Sequence, residues 1–193
     1  METIVTMPQT MCFLSLYFPV LKYTPKIRDT TKSVAAPIII TRSPQSFIRK
    51  RTVALLEKTP EGILLEIPKG FKNHLLWHFG HIFWAQEILM HSFLKEEHIC
   101  STQFQEMFSI GSSPTKWTKE PPSISEIKTM LEEQPNRITQ TFSGRLEEAG
   151  EKPFSLGPDV TLYSAAEVLN FVLWHEGLHQ GEINAMLKLL QES

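Results

Sequence analysis

The sequence predicts an all-α protein, a four-helix bundle preceded by an irregular N-terminal extension. Apolar residues recur at helical spacing in four segments, and two of these segments open with a Ser-x-x-Glu capping box. Strand signals are nearly absent, and two of the connections between helices are long, which is compatible with a bundle. With 193 residues, of which 41% are hydrophobic, the chain is large enough to bury one core.

The first and second helices are predicted at residues 43–58 and 73–94. Ser43 before Pro44 is typical of an N-cap followed by proline at the first helical position. The second helix is apolar on most sides, which predicts that it is the most buried of the four. Gly80 weakens that helix by about 1 kcal/mol relative to alanine. We therefore expect another backbone to approach it closely at this position.

The third and fourth helices are predicted at residues 123–148 and 164–192. One capping box begins at Ser123 and the other at Ser164, and each has glutamate three residues later. Pro135 lies inside the third helix, where it removes a backbone hydrogen bond, so we expect it to kink or split that helix.

The connections at residues 95–122 and 150–161 are predicted to be loops because glycine and proline are frequent in them. Long loops in compact domains often carry function. We expect the stretch from Gly111 to Trp117 to shape the mouth of a pocket.

Residues 1–42 are predicted to form a poorly ordered extension, and residues 43–193 the bundle domain. No helical period survives in the extension, and prolines interrupt it. These prolines are Pro8, Pro19, Pro25 and Pro37.

The composition of the chain bears on its possible binding partners and on its location in the cell. The 19 basic and 21 acidic residues are mixed along the chain, which excludes a basic nucleic-acid footprint. No segment reaches the roughly 18 consecutive apolar residues of a membrane span. Cys12 and Cys100 form neither a disulfide framework nor a zinc-ribbon spacing, which favours a reducing, cytoplasmic location.

The fourth helix carries the main indication of function. His175, His179 and Glu182 lie on the same predicted face as its apolar residues, although a buried face should exclude titratable groups that lack partners. Two imidazoles four residues apart can converge on one metal ion. Glu182 is expected to accept a histidine N–H or to act as a proton acceptor. Glu176 falls at the margin of the face and is expected to be solvated, or at best to support a ligand through a hydrogen bond.

A third ligand is expected from the second helix, where His74, His78 and His81 share one stripe. Spacing alone leaves the choice among them open. Three protein ligands leave coordination positions for water or substrate, which is the arrangement of catalytic sites. A single histidine on an apolar face is more often a core residue than a ligand. The prediction of a metal site therefore depends on the combination of His175 and His179 with a histidine of the second helix. His91 and His98 are expected at the surface.

Two motifs and a loop together resemble the DinB/YfiT-like superfamily. The motifs are Trp77-x-x-Gly80-His81-Ile82 and His175-Glu176-x-x-His179-x-Gly181-x-Ile183, and the loop is Phe108-x-x-Gly111-x-x-Pro114. The similarity covers about residues 44–193. It implies a four-helix bundle that holds a divalent metal through His81, His175 and His179. Zinc or nickel is the expected metal, with iron or manganese as alternatives.

The resemblance also suggests an activity. Characterised relatives include thiol S-transferases that use bacillithiol, mycothiol or glutathione, and a mycothiol-dependent maleylpyruvate isomerase, and homodimers are common among them. Gln180 and Glu182 depart from the usual final motif, in which a basic residue and a glutamine occupy these positions. These departures do not affect the metal ligands, but they leave the identity of the thiol cosubstrate open.

We therefore expect a homodimeric, metal-dependent S-transferase that activates a low-molecular-weight thiol for attack on a small electrophile. A non-catalytic, stress-related metal-binding dimer is one alternative. A metal-dependent hydrolase, with water in place of the thiol, is the other.

Overall fold

The computed structural model describes residues 44–191, and within these residues the chain is mainly helical. Four long helices pack against one another, with α5 against α1 and α2, and α4 against the same two helices. The predicted bundle is therefore confirmed. The elements are α1 (Pro44–Lys58), α2 (Leu75–Phe93), α3 (Thr102–Phe108), α4 (Ile124–Phe142), β1 (Ala149–Ser155), β2 (Thr161–Ser164) and α5 (Ala165–Gln191). Ser43, the predicted N-cap, and the extension at 1–42 lie outside the described residues.

The two long connections were predicted to be loops, but both contain regular secondary structure. The first includes the short helix α3, whose N-cap Ser101 accepts a hydrogen bond from the backbone of Phe104. The second folds into an antiparallel hairpin of β1 and β2, with Phe154 opposite Leu162. Residues such as glycine, glutamate, lysine and proline make β1 a poor strand by propensity. Its pairing is therefore a consequence of tertiary packing.

Helix α2 forms much of the core. Leu75, Phe79, Phe83 and Met90 are fully buried, and most other residues of the helix are also inaccessible to solvent.

The capping boxes at the starts of α4 and α5 are present, with both reciprocal hydrogen bonds formed in each. Local sequence signals thus fix where these helices begin, while burial of α2 holds them together.

Arg49 of α1 lies buried between the helices and uses all five of its guanidinium N–H groups. Nε and Nη2 donate to the two carboxylate oxygens of Glu176 in α5, at 2.8 and 3.0 Å. The remaining N–H groups donate to Gln134 and the Leu131 carbonyl in α4 and to Gln86 in α2. One side chain therefore connects all four long helices.

Helix α4 continues through Pro135 as a single α-helix, so the predicted split is wrong. Proline has no N–H to donate to the carbonyl four residues earlier, which is that of Leu131. Arg49 Nη1 donates to this carbonyl at 3.1 Å. A side chain from another helix thus replaces the missing backbone donor, which a reading of α4 alone cannot reveal.

Glu176 is buried, with 2% of its surface exposed, so the expectation that it is solvated is wrong. Besides Arg49, its carboxylate accepts a hydrogen bond from Thr52, and Thr52 accepts one from the Gln180 amide at 2.9 Å. Leu178, an apolar residue on the same helix as His175 and His179, is 48% exposed. The buried face of α5 is therefore rotated from the predicted one, because the partners of its polar residues lie on α1.

His91 was expected at the surface, but it is buried. Its Nδ1 lies 2.9 Å from the carbonyl oxygen of Glu87, one turn earlier in α2. Its ring contacts the edge of Phe142 in α4. His98 is partly buried. His91 is thus a core histidine with its own hydrogen bond, which a position near the end of a helix does not indicate.

The close approach expected at Gly80 is made by a side chain. A Cβ added there would lie 2.3 Å from Cε1 of Phe108, the last residue of α3. Phe108 is itself fully buried, so its ring has little room to move. The glycine therefore allows α3 to pack directly on α2.

Loss of Arg49 should be costly because it leaves the Glu176 carboxylate buried without its partner. We expect Arg49→Met to lower the free energy of unfolding by about 3–5 kcal/mol, measured by urea denaturation. Arg51→Met, at an exposed position on the same helix, should change it by less than about 0.5 kcal/mol. The double variant Arg49→Met/Glu176→Leu should recover part of the loss. No recovery would contradict the role assigned to the charge.

A methyl group at position 80 should disrupt the packing of α3. We expect Gly80→Ala to destabilise the protein by about 1–3 kcal/mol, because the Phe108 ring must move. Gly177→Ala is the matched control, since a Cβ there meets nothing within 4 Å and alanine favours the helix. Thermal unfolding should therefore shift in opposite directions for the two variants. A similar gain in both would show that the Phe108 contact imposes no constraint.

His74 should make stability sensitive to acid. Its Nδ1 caps α2 by accepting from the Trp77 N–H at 3.0 Å, and burial lowers the pKa of His74 from 6.5 to about 4. Between these pH values the unfolded chain takes up a proton that the folded chain does not, so stability falls as the pH falls. His74→Asn retains a capping side chain without this titration. Without metal, the variant should lose less free energy of unfolding between pH 6.5 and 4 than the wild type does, as measured by urea titrations. An equal dependence of this free energy on pH in both proteins would contradict the prediction.

Candidate metal centre

The interface between α2 and α5 brings three histidines together. His81 comes from α2, and His175 and His179 come from successive turns of α5. One ring nitrogen from each lies within 4.8 Å of the other two, and the ring centroids are 4.5–5.1 Å apart. This spacing would allow one ion to contact all three rings. The described residues therefore contain a group able to hold a metal ion.

The orientation of the His81 ring is fixed by α3. Its Nδ1 lies 2.7 Å from the Phe108 carbonyl oxygen. Because a carbonyl only accepts, Nδ1 must carry the proton, which leaves the lone pair of Nε2 available to a metal. Trp77 stacks on the ring at a centroid distance of 4.5 Å, and Trp84 stacks on it at 5.4 Å. Position and tautomer of this ring are thus set in advance.

The two histidines of α5 face each other closely. Nε2 of His175 and Nε2 of His179 are 3.2 Å apart. Burial lowers the pKa of His175 to about 3, and it lowers the pKa of His81 well below its usual value. The rings of His175 and His81 are therefore neutral at pH 7, which is the form that binds a metal.

A second group of polar atoms adjoins the first. His78 Nδ1 is 2.9 Å from His179 Nδ1, and Glu182 Oε2 lies 3.3 Å from the former and 3.4 Å from the latter. A hydrogen bond with His179 is the main cause of a lowered pKa at Glu182. The structure therefore places Glu182 beside His179, where the sequence located it. The contact of His78 with His179 was missed, although His78 shares the stripe of His81.

His74 belongs to neither group, since its Nδ1 is occupied by the cap of α2. Of the three histidines on the α2 stripe, His78 and His81 thus point to α5. The end of the helix explains the difference, because His74 precedes its first turn.

The loop at 111–117 reaches the site through one hydrogen bond. Ser112 Oγ accepts from Trp77 Nε1 at 2.9 Å, and Trp77 stacks on His81. A groove of about 280 Å³ runs beside this loop, lined in part by Pro114, Trp117 and His74. The loop therefore supports the stacked tryptophan, and it borders a groove at the start of α2.

Cys100 takes no part in the site. It is buried, and desolvation raises the pKa of its thiol to about 12. A thiol with this pKa is not a nucleophile at neutral pH. Cys12, the other cysteine, lies outside the described residues.

Between residues 44 and 191, no helix has the length and apolar character needed to cross a bilayer.

A search of curated proteins finds no match. A sequence model of the DinB superfamily matches residues 46–183, which include His81, His175 and His179. Because this match spans well over half of the sequence and the structure is a helical bundle, the chain belongs to the DinB superfamily.

Proposed function

We propose that this protein is a metal-dependent S-transferase that joins a low-molecular-weight thiol to a small electrophile. The observation that carries the proposal is the convergence of His81, His175 and His179 on one point between α2 and α5. Three imidazoles would hold a divalent ion and leave positions for a ligand from solution. Zinc or nickel suits this donor set, and iron or manganese is the alternative.

An ion held by these residues would act as a Lewis acid that lowers the pKa of a thiol at an open position. The protein contributes the orientation of the donors. The Phe108 carbonyl selects the tautomer of His81, and Trp77 and Trp84 restrict the rotation of its ring. Glu182 supports this arrangement from the side, 3.4 Å from Nδ1 of His179.

In this proposal the thiol comes from solution. Cys100, the cysteine among the described residues, is buried and its pKa is about 12. In the proposed reaction the thiol sulfur forms a bond to an electrophilic carbon, and the leaving group departs with its electron pair. The thiol proton passes to a base. Glu182 is suited to this role, since a lowered pKa keeps it ionised at pH 7 and its 53% exposed side chain can pass the proton to water.

A homodimer is also part of the proposal. Trp174 and Leu178 lie one turn apart on α5 and are about half exposed. Large apolar side chains in adjacent turns are typical of a helix that packs against a partner.

Metal content tests the ligands. We expect His81→Ala, His175→Ala and His179→Ala each to lose at least one equivalent of bound metal per chain, measured by plasma mass spectrometry after dialysis. His74→Asn should retain the wild-type content, because His74 belongs to neither group of ligands. Retention of metal by His81→Ala together with its loss in His74→Asn would overturn the assignment.

Turnover tests the reaction. The metal-loaded protein should conjugate glutathione, bacillithiol or mycothiol to 1-chloro-2,4-dinitrobenzene, and His175→Gln should lose this activity because it removes a ligand. The release of chloride and the loss of free thiol should be equal. Bound metal without any thiol-dependent turnover would instead favour a non-catalytic dimer. Product release in the absence of thiol would favour a hydrolase.

A further inference from the structure

His179 presents its two ring nitrogens to two different sets of side chains. Nε2 lies 3.2 Å from Nε2 of His175, in the group that includes His81. Nδ1 lies 2.9 Å from Nδ1 of His78 and 3.4 Å from Oε2 of Glu182. The second set is therefore a triangle of three potential ligand atoms, with its third side of 3.3 Å between His78 and Glu182.

Protons alone do not satisfy this triangle. If one Nδ1 carries a proton, the other ring directs a lone pair at the carboxylate. If both carry protons, two N–H groups face each other across 2.9 Å. If neither does, three acceptors face one another. With Glu182 ionised, as its lowered pKa indicates, each of these arrangements leaves at least one side of the triangle unfavourable, and the His78 side of it is buried.

A cation satisfies all three atoms at once. Ligand atoms about 2.0–2.2 Å from a tetrahedral ion stand roughly 3.3–3.6 Å apart. The sides of 2.9, 3.3 and 3.4 Å are close to this spacing. Two imidazoles and one carboxylate are a donor set that suits zinc, iron or manganese. The exposed side chain of Glu182 leaves room for water on the remaining positions.

We propose that His78, His179 and Glu182 form a second divalent-cation site, and that the His179 ring bridges it to the three-histidine site. When both sites are filled, His179 gives up its remaining ring proton to solvent, and the resulting anion binds one ion through each nitrogen. The second site rests on its own three ligand atoms. Only the bridge depends on the metal site of the proposed function.

Metal counting tests the second site. The full-length protein is stripped with a chelator, saturated with Zn²⁺ and dialysed, and zinc is counted by plasma mass spectrometry. Wild type should hold two ions per chain, and Glu182→Gln, His78→Gln and His175→Gln one each. Glu133→Gln, which removes an exposed carboxylate on α4, is the control and should hold two. Glu182 is itself largely exposed, so Glu182→Gln should fold even if His78→Gln does not.

The bridge has a magnetic signature. Two Cu²⁺ ions joined by one imidazole ring couple antiferromagnetically, so wild type loaded with copper should give a weak electron paramagnetic resonance signal at low temperature. Glu182→Gln should bind one Cu²⁺ and give the full signal of an isolated ion.

Two results would overturn the second site. These are one ion in both wild type and Glu182→Gln, or two ions in both. Two ions in wild type that show no magnetic coupling would overturn the bridge through His179. In the first case, loss of the single ion in His175→Gln would leave the three-histidine site intact. Failure of the proposed function looks different, since wild type would then bind no ion through His175.

Discussion

The contact between Arg49 and Glu176 is the constraint on which the arrangement of the bundle depends. It fixes α1 against α5, and the other guanidinium N–H groups extend the connection to α2 and α4. A buried ion pair stabilises a fold little compared with apolar packing, but misplacing one partner is expensive. The pair therefore acts by excluding other rotations of α5. Since His175 precedes Glu176, the rotation that buries the carboxylate also directs that imidazole toward α2.

Packing and ligand geometry meet at one residue, Phe108. Its ring lies where a side chain at position 80 would be, and its carbonyl accepts the hydrogen bond from His81. The absence of a side chain at Gly80 thus brings α3 close enough to orient a ring on the next residue. A motif of glycine followed by histidine has a physical reason here. The glycine positions the acceptor, and the acceptor determines which nitrogen of the histidine is free.

The sequence predicted those parts of the structure that follow from local signals. Periodicity located the four long helices, and the capping boxes marked the starts of α4 and α5. It failed where the decisive partner is distant along the chain. Glu176 appeared to be solvated because Arg49 is 127 residues away, and the hairpin was missed because its pairing overrides weak propensity. The role of His78 depends on which way α5 is rotated, which no pattern within α2 specifies.

The hydrogen bond from Arg49 to the Leu131 carbonyl has a consequence for how this sequence can vary. Proline at 135 leaves an acceptor that only a long, forked cationic group from α1 reaches, and lysine lacks the geometry to serve this acceptor together with the Glu176 carboxylate. A chain that exchanges the arginine must therefore also restore an amide hydrogen at 135. Positions 49 and 135 are 86 residues apart in the sequence, and we expect them to be substituted together. Proline at 135 should therefore be accompanied by arginine at 49.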